Sequence, residues 1–182
     1  MIVSCCEDLY PDDGEVVRVV DARNLRTARE HRAQGHLGPH PWNMAAILAN
    51  PAYATWRAQQ YIKLYSCLLD ERMLVGESEA RGSADDPGAV KRKAMAVFCE
   101  KGSHRSMSWS HFEACILIAM GFNVNINPVC VKHQMYHCAN PNKAPCRFCT
   151  FENPDVKAIM CAGVDEFFEV MCAAEQHWPV RT

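Results

Sequence analysis

Long apolar runs are missing from this sequence. No stretch of its 182 residues approaches the roughly 20 apolar positions that a membrane-spanning helix needs, so a membrane protein is not expected. An excess of positive charge is missing too. The formal net charge is -2, which argues against the domain-wide basic field behind non-specific nucleic-acid binding. The opening residues, MIVSCCEDLYPDDGE, lack a basic stretch followed by a long apolar one, so no secretory signal is expected. The chain contains no G-x-x-x-x-G-K-[ST] phosphate loop and no internal repeat.

What is present points to a folded chain rich in thiols. Apolar residues make up 49%, enough for one domain with a real core and a small appendage. The 11 cysteines are an odd number, and without a secretory signal they read as reduced thiols, some of them metal-bound. The expected compartment is the cytoplasm, or the nucleus.

The β-branched run VVRVV at 16–20, ending at Asp21, reads as a buried strand. From Trp42 to about Leu74 the pattern is helical. Pro51 divides it, because proline fits a first turn and breaks an interior. Tyr61, Leu64, Tyr65 and Leu68 form a core stripe. Residues 76–93 read as a Gly/Ser/charged loop. KAMAVFC is a second strand, and a helix follows from about His104 to a C-terminal glycine near Gly121, turning Phe112, Cys115, Ile116 and Ala119 to the sheet. NVNI at 123–126 reads as a third strand. A last helix, about Val164 to Gln176, carries Val164, Phe167, Phe168 and Met171 at core spacing. Alternating strands and helices predict an α/β fold, a small parallel sheet with flanking helices and right-handed crossovers. Residues 1–128 would form this domain. Residues 129–182 would add a Cys/His-rich knuckle and a terminal helix packed on the core.

Ligands of such sheets bind beyond the carboxyl ends of the strands. Asp21 and Cys99 stand at two such ends. The second opens the stretch CEKGSHRS, where Cys-x5-Arg-Ser joins a strand to a helix. Unpaired amides at the helix start attract an anion. Gly102 permits the positive φ that turns loop amides inward. Arg105 offers a bidentate contact to phosphate oxygens, Ser103 and Ser106 offer hydroxyls, and His104 offers a titratable ring. Three readings stay open: a phosphate cradle, a structural turn, and a cysteine phosphatase with Cys99 as nucleophile and Arg105 beside it. The phosphatase reading also needs an acid, for which Asp85 and Asp86 are the candidates, and Phe98 stands where such enzymes usually carry histidine. Glu100 opposes an anion in the loop. Asp21 either caps a turn, accepts from a ligand hydroxyl or amine, or orients His104.

Residues 130–149 read CVKHQMYHCANPNKAPCRFC. Cys130 with His133, and Cys146 with Cys149, are two short chelating pairs twelve residues apart, a set that suits structural zinc. His137 and Cys138 are alternates within the same stretch.

VVDARNL at 19–25, CEKGSHRS at 99–106 and GFNV at 121–124, in that order and with a helical segment between the first two, resemble the C-terminal domain of the RapZ family of bacterial RNase adapter proteins. The resemblance covers roughly residues 15–128. It implies a phosphosugar-sensing module, RNA binding and homo-oligomeric assembly. It also implies a ligand shell drawn from Asp21, Arg23, Cys99, Gly102, His104, Arg105 and Ser106. The expectation is therefore a non-enzymatic, regulatory binding module for a phosphorylated small molecule. A Cys99-dependent phosphatase is the alternative. An RNA-binding regulator using Arg23, Arg26, Arg29, Arg32, Lys91, Arg92 and Lys93 is a third reading.

Overall fold

The computed structural model describes residues 2–5, 15–25, 40–71, 93–99, 105–129 and 152–177. In chain order these form β1 (Ile2–Cys5), β2 (Glu15–Asp21), α1 (Pro41–Leu48), a 3-10 turn (Pro51–Tyr53), α2 (Ala54–Asp70), β3 (Lys93–Phe98), α3 (Arg105–Ala119), β4 (Ile126–Val129) and α4 (Pro154–His177). The strands make one parallel sheet in the order β2-β3-β1-β4. The expected α/β architecture, a small parallel sheet with flanking helices, is therefore present. The Cys/His-rich segment 130–149 and most of the 76–93 loop lie outside the described residues.

Local chemistry sets the element boundaries. Pro41 opens α1 behind His40, whose Nδ1 accepts from the Trp42 amide. Pro51 opens the 3-10 turn behind Asn50, whose Oδ1 accepts from the Ala52 amide, and that turn runs straight into α2. At the far end of α3, Gly121 takes φ +90°. The Phe122 amide donates back to Leu117 and the Gly121 amide to Ile118, a Schellman closure that only a residue comfortable at positive φ completes without strain.

The sheet departs from the sequence expectation in two strands. β1 has no counterpart in the sequence reading, yet it lies between β3 and β4, with Ile2 opposite both Met95 and Ile126. The last strand is Ile126–Val129 and not 123–126. It contains Pro128, which is tolerated because β4 is an outer strand of the sheet among the described residues. In β2 the pairing to β3 shifts between Val16 and Arg18, a bulge at Val17. Beyond it, Arg18, Val20 and Ala22 turn inward, while Val19 stays 49% exposed on the other face.

The core is built where α2 and α3 cover the sheet and α4 lies across α1, α2 and α3. Trp109 of α3 is its centre. The indole stacks on Tyr61 at 5.7 Å and meets Trp56 edge-on at 4.6 Å, and Tyr61 in turn meets Phe167 of α4 edge-on at 5.6 Å. Each such aromatic pair adds about 0.5–1.5 kcal/mol to the burial of its rings. Gly163 lets α4 come close: a Cβ there would sit 2.8 Å from a Leu48 methyl and 3.0 Å from the Phe112 ring.

Two helix faces differ from expectation. Phe112 and Ile116 are buried, with the Phe112 ring against α4 at Gly163, but Ala119 is exposed and Cys115 only half-buried. The reason is that α3 is enclosed on several sides and buries Ser106, Ser108, Ser110, His111 and Glu113 as well. Burial pushes the His111 imidazole down to about 4, against an opposing hydrogen bond to the Met107 carbonyl, so the ring is neutral at physiological pH. The last helix starts ten residues before the expected Val164, at Pro154, and Phe168 is 42% exposed. No described helix is long and apolar enough to cross a membrane. Cys67, Cys99, Cys115, Cys161 and Cys172 form no disulfide.

Candidate functional site

Strands β2 and β3 end side by side, with Asp21 opposite Phe98. The Ala22 amide donates to the Phe98 carbonyl at 2.9 Å, which carries the pairing one residue further. The chain then turns. Asp21 Oδ1 accepts from the Arg23 amide at 2.9 Å, the local bond by which aspartate closes a turn at a strand end.

The same carboxylate holds the Arg23 side chain. Arg23 Nε reaches Oδ1 at 3.0 Å and Oδ2 at 3.1 Å, and Nη2 reaches Oδ2 at 2.8 Å. This is the planar fork that suits guanidinium to carboxylate. The guanidinium also lies over the Phe98 ring, 5.1 Å from its centroid. The Arg23 side-chain bond holds the Asp21 carboxyl below its usual range. Partial burial opposes this, while the Arg23 amide and the charges of Arg23 and Arg105 add to it.

On the β3 side, Cys99 directly follows the strand and Ser106 sits in the first turn of α3. The two are 2% and 0% exposed, and Cys99 Sγ donates to Ser106 Oγ at 3.3 Å. Between them in sequence, Arg105 reaches back across the strand ends. Its Nη1 donates to the carbonyls of Arg23 and of Leu25, the latter at 2.9 Å. One side chain thus ties the start of α3 to the turn after β2.

The structure therefore gathers five of the expected site residues, Asp21, Arg23, Cys99, Arg105 and Ser106, at one edge of the sheet. Gly102, Ser103 and His104 lie outside the described residues, as do Glu100 and the metal candidates Cys130, His133, Cys146 and Cys149. Among the described residues no three His, Cys, Asp or Glu side chains gather as a metal site. Of the readings open for Asp21, the described partners are those of the turn cap, with Arg23 as a second role that the sequence reading does not contain. The signal for it is the Asp-x-Arg spacing, which puts the guanidinium within reach of the carboxylate two residues back.

A second polar cluster escapes the sequence reading. Arg18 Nη2 meets Glu113 Oε1 at 2.7 Å, fully inside the core. The same nitrogen donates to the Gln60 carbonyl at 3.2 Å and to its side-chain oxygen at 3.3 Å, and Trp109 Nε1 donates to Glu113 Oε1 at 2.9 Å. A lone arginine inside VVRVV and a lone glutamate inside HFEACILIA are the marks it leaves in the sequence.

Comparison of the chain with family models, with curated proteins and with solved structures gives no match.

Proposed function

We propose that this chain is a non-enzymatic, regulatory binding module of RapZ C-terminal type, holding a phosphorylated, phosphosugar-like small molecule at the carboxyl ends of β2 and β3. The observation that carries the reading is the joint between β3 and α3. The Cys99 thiol and the Ser106 hydroxyl are buried against each other there, while the Arg105 guanidinium reaches the turn that holds Asp21 and Arg23. Two arginines at the carboxyl edge of a parallel sheet supply the charge that a phosphate requires, and α3 starts at the same edge. Binding is favoured over a phosphatase by the state of Cys99. Its sulfur is buried against the Ser106 hydroxyl, whereas a nucleophile needs to be accessible to its substrate.

Thermal unfolding with phosphosugars, nucleotides and inorganic phosphate tests the reading. At a ligand concentration of about 100 Kd, binding stabilises the folded state by about 2.7 kcal/mol. That raises the melting temperature of a chain this size by roughly 5–10 °C. Arg105→Ala is expected to lose most of the increase. Because each variant is compared with and without ligand, a change in its own stability does not enter. Wild type and Arg105→Ala responding alike to every ligand would sink the proposal.

Structural zinc belongs to the same proposal, held by Cys130, His133, Cys146 and Cys149 and supported by their paired spacing alone. Purified protein is expected to hold about one equivalent of zinc, and Cys146→Ser to lose it. Metal well below one equivalent, unchanged by that substitution, would remove the knuckle.

A further inference from the structure

The arrangement around Arg23 contains its own competitor. Nε and Nη2 of Arg23 are the two parallel donors that a phosphate would take, and both face the Asp21 carboxylate. The guanidinium is held from other sides as well. The Phe98 ring lies beneath it, and Arg105 grips the carbonyl of the same residue. The fork is thus positioned for an anion by groups other than the anion it holds. The pair is open to solvent, with 44% of the Arg23 side chain and 37% of the Asp21 side chain exposed.

We propose that Asp21 is an internal counter-anion that occupies Arg23 until a phosphate group displaces it, so that it sets the threshold for ligand binding. The inference rests on the phosphate-binding reading above and deepens it. Chemically, the exchange is fork for fork. A phosphate presents two oxygens where the carboxylate presents two, and near neutral pH it carries more negative charge. The Asp21 carboxylate then stays within the field of Arg105, whose charge already acts on it. An exposed arginine–carboxylate pair is weak, so the competition lowers phosphate affinity by a factor of about five at most.

The test is calorimetric titration of the full chain with inorganic phosphate, which carries no hydroxyl or amine-bearing sugar to confuse the roles of Asp21. Asp21→Asn is the variant of choice, because its Oδ1 still accepts from the Arg23 amide and the turn is kept. It is expected to bind phosphate about 2–5-fold more tightly than wild type. The gain should vanish in an Arg23→Ala background. It should also be absent from Asp165→Asn, which removes the same charge from an exposed site on α4. Asp21→Asn binding phosphate no better than wild type would overturn the inference and leave the binding reading standing. A gain that persists without Arg23, or that Asp165→Asn reproduces, overturns it equally, since general charge would then be the cause. If neither wild type nor Asp21→Asn binds phosphate, the inference falls, while the reading beneath it stands or falls with the phosphosugar response of wild type and Arg105→Ala in thermal unfolding.

Discussion

Glu113→Leu lowers the free energy of unfolding by about 3–5 kcal/mol. In a chain whose total stability is about 5–15 kcal/mol, this is among the largest changes one residue can make. The size follows from what remains behind. Arg18 is almost as deeply buried as Glu113, and its guanidinium would lose the only carboxylate that meets it among the described residues, at 2.7 Å. Gln60 still offers two neutral oxygens, which orient a cation but do not balance its charge. The Trp109 indole would lose its acceptor as well. Glu113→Gln keeps an oxygen for both donors and removes only the charge, so it should cost distinctly less. Urea denaturation of the two variants checks this through the midpoints, provided the slopes are unchanged. Glu113→Leu within 1 kcal/mol of wild type, or no better tolerated as Gln, would refute the assignment.

Arg57→Ala is expected to cost about 2–4 kcal/mol, and the loss should appear first in α4. Arg57 is buried and serves three elements. Nε and Nη2 hold the Glu166 carboxylate of α4 at 2.7–3.1 Å. Nη1 donates to the carbonyls of Ile47 and Asn50, each at 3.0 Å, where α1 ends and leaves acceptors unmatched. Tyr61 adds a hydroxyl to the same carboxylate at 3.0 Å. Lysine has one compact ammonium and cannot serve acceptors spread this widely, so Arg57→Lys should rescue little. Amide hydrogen exchange gives the local reading. Protection along α4 should fall well before protection in β3. A uniform loss across the chain would mean that Arg57 is not what fastens this helix.

The elements that were legible in the sequence are those whose signals are local. Pro51 and Gly121 marked helix boundaries because each has a conformational reason confined to its own residue, whereas Pro41, which opens α1, read as part of the preceding loop. The β-branched runs of β2 and β3 marked themselves by density. β1 did not, because IVSC is too short to show a period and its partners lie far along the chain. Pro128 spoke against a strand, and only the sheet order reveals that it occupies an outer one. The beginning of α4 carried its own cue, Asn153 capping the Asp155 amide ahead of Pro154. Gly163 hid that cue, since a mid-helix glycine reads as a break until Leu48 and Phe112 are seen pressing on it. Phe168, the next residue after Phe167, turns past the edge of the buried face and is partly exposed although its ring still touches that of Phe167. For the candidate site, the motif order placed Asp21, Cys99, Arg105 and Ser106 at one sheet edge. It did not disclose that Asp21 and Arg23 engage each other, because a pairing between two charged side chains is decided by which other groups crowd them.

The position of β1 has a consequence for how the chain is made. Its first strand finds neighbours only in segments centred near Met95 and Ile126. During vectorial synthesis one edge of that strand stays unmatched until the segment near Met95 has emerged, and the other until the segment near Ile126 has. The contacts that close the sheet are also among its most sequence-distant, which is the arrangement that slows folding and prolongs exposure of sticky edges. The middle of the sheet is therefore the part of the molecule most dependent on the chain being kept from other chains while it waits.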